Sequence, residues 1–161
     1  MKKNTKVALR WIVKVLRKRK IPFYISGGFA AKIYGSSRAL NDIDIDIPGK
    51  YFDEVWTATK RYMLLKPARY LKKPWDVCVF TLRVKGQDID ISNGESIRFF
   101  NKQKQKWVRG PVRFNRPAMK KVFGMILPVY PKKDLLYYKR ILEHYSSRKH
   151  QRADVKALSS S

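Results

Sequence analysis

The stretch "ISGGFAAKIYGSSRALNDIDIDIPGK", residues 25–50, decides how the chain folds. It holds two adjacent glycines, a short helical run, and then Asp and Ile in strict alternation. Alternation marks a strand, because side chains i, i+2 and i+4 share one face. Asp42, Asp44 and Asp46 therefore point one way, and Ile43, Ile45 and Ile47 point into a core. Neighbouring aspartates on such a face stand about 6.6 Å apart at about 3.3 Å per residue, and Asp42 and Asp46 about 13 Å apart. Carboxylates crowded in this way repel one another, so their concentration needs a compensating charge. Pro48 and Gly49 stop the strand.

A second acidic run, "GQDIDIS" at residues 86–92, places Asp88 and Asp90 opposite Ile89 and Ile91. A neighbouring strand lies about 4.8 Å away, nearer than the far aspartate of the first strand, so a third ligand comes most easily from there. Oxygen donors without His or Cys suit Mg²⁺ or Mn²⁺ and not zinc. Two such ions about 3.5 to 4 Å apart support in-line nucleotidyl or phosphoryl displacement. A calcium loop is excluded, because it takes Gly at its sixth position and Glu at its twelfth. Ile47 and Asp53 stand there. The plain alternative is a solvated acidic edge that discourages strand pairing. Two Asp-Ile runs in a chain with only 12 acidic residues point instead to a shared site. Gly27 and Gly28 end a strand and open a helix, where bare amides and the positive helix end can hold a phosphate. They form neither a GxGxxG nor a GxxxxGK[ST] loop.

Composition narrows the partners. The 161 residues are expected to form one domain, 1–161, with 44% hydrophobic and 13% aromatic content. The net charge of +25 and the isoelectric point near 10.4 favour polyanions such as nucleic acid or nucleotides. Cys78 is the only cysteine, which excludes an intrachain disulfide and a cysteine zinc site, and its apolar setting suggests a buried, inert thiol. No apolar run approaches the roughly 18 residues of a bilayer span, and the N-terminus lacks an apolar signal core. The expected localisation is cytoplasmic, with no membrane partner.

Helical spacing with a basic polar face marks residues 6–20 as an amphipathic helix. A buried strand follows at 21–26, then a short helix at 29–34 closed by Gly35. Helical spacing returns over 51–65, and strands at 77–84 and 87–92 flank a tight turn at Lys85 and Gly86. Residues 98–121 interleave cations with Phe99, Phe100, Trp107 and Phe114 without clear periodicity, which reads as an irregular basic segment with at most a short strand. Residues 131–145 form a helix with Leu135, Tyr138, Ile141, Leu142 and Tyr145 as its apolar stripe. Residues 150–158 form a last short helix, with Ser159 to Ser161 frayed. The expected fold class is α/β or α+β, a small mixed sheet flanked by helices, with C-terminal helices.

The run "GGFAAKIYGSSRALNDIDIDI" resembles the nucleotidyltransferase fold of the DNA polymerase β superfamily, and in particular its small stand-alone members. Leu40 stands where that family commonly has Thr. The resemblance is specific over 20–50, moderate over 84–92 and loose over 126–158. It implies a catalytic core over 1–125, with the basic segment 98–121 inside it, and a C-terminal helical part over 126–158. Asp42, Asp44 and Asp90 are implied as the catalytic, metal-binding carboxylates, with Asp88 and Asp46 as accessory candidates. Ser26, Gly27 and Gly28 would hold the triphosphate. Arg38 and Lys139 would reach its phosphates, with Asp154 near the family's C-terminal aspartate. For Arg38 a surface ion pair is the alternative. His144 and His150 are expected at the surface.

The implied reaction is transfer of NMP from an NTP, such as ATP, to an acceptor hydroxyl with release of pyrophosphate, using two Mg²⁺ or Mn²⁺ ions. The basic helix 6–20 and the basic-aromatic segment 98–121 suit RNA, such as tRNA, as acceptor. Two alternatives stay open. One is a protein-modifying, AMPylating enzyme of the toxin–antitoxin kind with a protein partner. The other is a catalytically silent nucleic-acid-binding module.

Overall fold

The computed structural model describes residues 2–111, 113–145 and 149–160. Its elements are α1 (Thr5–Lys18), β1 (Tyr24–Ile25), α2 (Gly27–Ile33), β2 (Asp42–Ile47), α3 (Phe52–Thr59), β3 (Met63–Lys72), β4 (Trp75–Val84) and β5 (Gln87–Asn93). They continue with β6 (Arg98–Asn101), β7 (Lys106–Arg109), β8 (Ala118–Val122), β9 (Met125–Val129), α4 (Lys132–Glu143) and α5 (Lys149–Ser159). Among the described residues the strands form one mixed sheet in the order β7-β6-β4-β5-β2-β1-β9-β8, with β3 paired to β4 outside that path.

Strand β2 occupies the middle of the sheet, as its isoleucines require. Ile43, Ile45 and Ile47 are fully buried, together with Ile89 and Ile91 of the parallel neighbour β5. Burial of each such side chain contributes about 1.5–3 kcal/mol. Shortening one of them tests this core without opening the site: Ile45→Val is expected to lower unfolding free energy by about 0.5–1.5 kcal/mol in a urea titration. The parallel register sets Asp42 beside Asp88 and Asp44 beside Asp90. The antiparallel β4–β5 hairpin then places Thr81 opposite Asp90 and Arg83 opposite Asp88. Its two-residue turn has Lys85 at φ 50° and Gly86 at φ 72°, the positive values that a twisted hairpin favours.

Helix α1 starts at Asn4, whose side chain accepts from the Val7 amide at 3.1 Å. Ala8, Leu9, Ile12, Val13 and Leu16 are buried, while Val7 is exposed. Arg10 and Arg17 reach back to the carbonyls of Phe123 and Ile126 on the β8–β9 hairpin, at 3.1 and 2.5 Å. The described residues contain no helix long and apolar enough to cross a membrane.

Several sequence expectations are corrected. Helical structure over 51–65 ends at Thr59, and Met63, Leu64 and Leu65 open strand β3 after a 3₁₀ turn at Lys60–Tyr62. The segment 98–121 carries more than a short strand, because β6, β7 and most of β8 come from it, while Val112 lies outside the described residues. Cys78 is half-buried on β4, not enclosed. The strand expected over 21–26 is only Tyr24–Ile25 by backbone pairing. Ser159 ends α5, and Ser161 lies outside the described residues.

Candidate active site

Strands β2 and β5 carry the acidic cluster. One carboxylate oxygen each from Asp42, Asp44 and Asp90 lies within 4.8 Å of the others, and each residue is half-buried. Asp88 is outside this cluster, since Arg83 takes both of its oxygens at 2.7 and 3.0 Å. Asp46 is buried, and its Oδ1 accepts from the Ser26 hydroxyl at 3.0 Å. Burial pushes the Asp46 carboxyl up to about 7, against the Ser26 and Tyr130 hydroxyls that favour its charge. Burial also pushes Asp90 up to about 6; the Thr81 hydroxyl, donating at 2.6 Å, opposes this, and Asp42 reinforces it. Asp44 is raised well above the carboxylate range, first by burial and then by repulsion from Asp42 and Asp90.

The chemistry of this donor set suits a hard divalent cation. Three oxygen ligands converge without His or Cys, and burial first, then mutual repulsion, disfavour the charged form of Asp44, a cost that a bound cation would offset. Lys139 is the only cation among the named influences on Asp44.

The double glycine lies directly over the cluster. Gly27 has φ +57°, and a Cβ there would sit 2.4 Å from Asp44 Oδ2. A Cβ on Gly28 would meet Arg38 Nη1 at 2.5 Å. These positions therefore admit glycine because a carboxylate and a guanidinium press against the backbone. The amides are not bare, as the sequence suggested. Gly27 N–H donates to the Tyr138 hydroxyl at 2.9 Å and Gly28 N–H to Asp44 Oδ2 at 3.1 Å. Gly27→Ala combines left-handed strain with displacement of Asp44, and a misplacement near 1 Å costs about 10²-fold. A drop of that size in turnover at this cluster, read by product formation with correct folding checked by circular dichroism, is the expected outcome.

Behind the glycines lies a buried ionic network. Asp154 is fully buried and receives Ser36 Oγ at 2.6 Å on Oδ1, with Arg38 Nη1 and Lys139 Nζ each at 2.9 Å on Oδ2. Lys139 also donates to Gln151 Oε1 at 3.2 Å. Burial pushes the Lys139 ammonium down, and Asp154 holds it up. The ion pair of Arg38 is thus a mostly buried one, not a surface pair. His144 and His150 are exposed.

A cleft of about 560 Å³ runs from Ser26, Gly27 and the aspartates along β4 to the β3–β4 hairpin tip. Sequence reasoning missed several of the groups around it. Thr81 was legible, because a two-residue turn at 85–86 pairs it with Asp90. Tyr138 reads from the sequence only as an apolar stripe residue of its helix, and Tyr130 and Gln151 carry no local signal.

The fold and this site define the class: the chain has the nucleotidyltransferase fold. It is similar to a protein of Thermotoga maritima classed among nucleotidyltransferases, with 19% identity over 86% of this chain and 84% of that one, at TM-score 0.69. It is also similar to the lincomycin-bound lincosamide antibiotic adenylyltransferase LnuA, with 13% identity over 99% of both chains, at TM-score 0.64. A third similar structure is the antibiotic-resistance factor ANT(2″)-Ia, with 12% identity over 95% of this chain and 81% of that one, at TM-score 0.62. No protein-family model and no curated protein matches the sequence. At these identities the likeness establishes the fold.

Proposed function

We propose that residues 1–161 act as one nucleotidyltransferase domain that moves NMP from an NTP to a hydroxyl of RNA and releases pyrophosphate. The observation that carries this reading is the convergence of Asp42, Asp44 and Asp90 within 4.8 Å beneath the Gly27–Gly28 turn. The acceptor oxygen attacks the α-phosphorus, the bond to the bridging oxygen breaks, and the electron pair leaves with pyrophosphate. Asp90, oriented by Thr81, takes the hydroxyl proton. Two Mg²⁺ or Mn²⁺ ions held by Asp42, Asp44 and Asp90 would neutralise triphosphate charge and polarise the attacking hydroxyl. Gly27 and Gly28 let Asp44 and Arg38 pack directly against the backbone at the strand–helix turn, and Ser26 braces the strand below through Asp46. Arg38 and Lys139, anchored on Asp154, supply a fixed positive field toward the triphosphate.

RNA is favoured as acceptor by the net charge of +25, which concentrates polyanions. A second reading, a small hydroxylic molecule, is supported by the match to LnuA over 99% of both chains. An aminoglycoside, such as the tobramycin adduct held by ANT(2″)-Ia, is a polycation that this charge opposes. The test is incubation with each α-labelled NTP, Mg²⁺ or Mn²⁺, and a cell extract, followed by RNase or protease. Label removed by RNase supports the RNA acceptor. Label removed only by protease replaces it with protein modification. Label confined to small products establishes the second reading. No label anywhere overturns both readings and leaves a silent binding module.

A further inference from the structure

We propose that the outer end of the cleft, built from Tyr70, Lys72, Lys73 and Trp75 of the β3–β4 hairpin together with Tyr145, holds the unpaired nucleotides that lead to the acceptor hydroxyl of an RNA. The inference rests on the nucleotidyl-transfer reading and adds to it a subsite for the second substrate.

Strand geometry separates this subsite from the chemistry. Thr81 sits opposite Asp90, and from Thr81 the strand runs to Trp75, about 20 Å away at about 3.3 Å per residue. That is further than the sugar and base of one nucleotide extend from an α-phosphate held at the aspartates. Val79, Val77 and Trp75 follow Thr81 on one face and line the cleft, and Tyr70 and Lys72 stand opposite Val77 and Trp75 on the paired strand. The strip is continuous. A ring wall accompanies it: Tyr138 stacks on Phe99 at 5.0 Å, and Phe99 packs against Trp75 at 5.3 Å. Phe99 and Tyr138 are buried and serve as wall, whereas Tyr70 is 48% exposed and Trp75 and Tyr145 are half-buried at the cleft surface.

Cations stand at this end of the cleft. Lys73 lies 3.9 Å from the Phe100 ring centre, and Lys102 lies 5.8 Å from that of Tyr145. Among the described residues Lys72, Lys73 and Lys102 have no ion-pair partner. The one carboxylate near the hairpin tip, Asp76, is taken by Arg69 and Arg98 at 2.8 and 2.5 Å, which also fixes the hairpin to β6. Rings beside unpaired lysines match the stacked bases and phosphates of a single strand, and such stacking tolerates any base. The whole cleft measures about 560 Å³, within the usual range of small-ligand sites.

The experiment titrates a fluorescent single-stranded oligoribonucleotide into the full chain and into Tyr70→Ala, Tyr70→Phe, Lys72→Ala and Lys73→Ala, with Mg²⁺–NTP affinity measured separately. Removal of the Tyr70 ring is expected to weaken oligonucleotide binding about tenfold to a hundredfold, with Tyr70→Phe retaining it. Each lysine change is expected to reduce the salt slope by about 0.7, and NTP affinity stays unchanged throughout. The inference is overturned if the wild-type chain does not bind the strand, if the hairpin variants bind as wild type, or if they lose NTP affinity instead. Asp44→Asn reports on the parent reading separately: if it leaves metal-dependent NTP binding intact, nucleotidyl transfer at this cluster fails whatever the hairpin shows.

Discussion

Asp44→Asn is expected to abolish nucleotidyl transfer, by about 10³-fold or more, while leaving the metal-free protein as stable as wild type or more so. The two halves of this result have one cause. Asp44 is the central carboxylate, with Oδ2 on the Gly28 amide and with Asp42 and Asp90 both repelling it. Its charged form is therefore disfavoured by the fold, and a neutral isostere relieves that penalty. The same charge is what a divalent ion requires, and loss of several kcal/mol of transition-state stabilisation at about 1.4 kcal/mol per tenfold gives the stated drop. The measurement pairs initial rates with thermal unfolding in the presence and absence of Mg²⁺ or Mn²⁺. A ligand at 100 times its Kd adds about 2.7 kcal/mol to the wild type, and the variant should show little of this gain. A variant that retains activity, or that unfolds several degrees earlier without metal, would show that Asp44 is structural and sink the assignment.

The acidic strands could be read in advance because period-two alternation with a buried isoleucine face leaves one arrangement, and the turn at Lys85–Gly86 fixes the pairing of Thr81 and Arg83. Strand β3 was hidden for the converse reason. Met63, Leu64 and Leu65 continue the helical spacing begun by Val55, and most of β3 is exposed, so no alternating burial marked it. Strands β6 and β7 were hidden by their length of four residues. Phe99 and Phe100 are adjacent and both buried, which breaks alternation. At the site, the carboxylates and glycines were legible as a local pattern. The hydroxyl of Tyr138 under Gly27 and the meeting of Arg38, Lys139 and Asp154 depend on how α4 and α5 pack, which no local pattern encodes.

That meeting supplies the largest expected effect on stability. Asp154→Asn should lower unfolding free energy by about 3–5 kcal/mol, because it removes the anion from between two cations and leaves one of them uncompensated in the interior. Lys139 is 2% exposed and cannot turn to solvent without undoing the packing of α4 on α5. The loss should also depend on pH in a defined direction. Burial already pushes the Lys139 ammonium down, and without Asp154 that effect is unopposed by its main partner. The unfolded chain then binds more protons than the folded one from the depressed value up to about 10.4, so stability rises with pH across that window. The deficit of Asp154→Asn is therefore expected to shrink between neutral and alkaline pH, as read from urea midpoints. Adding Lys139→Met removes the uncompensated ammonium, so the double variant should recover part of the stability and lose the pH dependence. A deficit that does not change with pH, or a double variant no better than the single one, would assign the cost to the lost Ser36 and Arg38 contacts and not to the buried lysine.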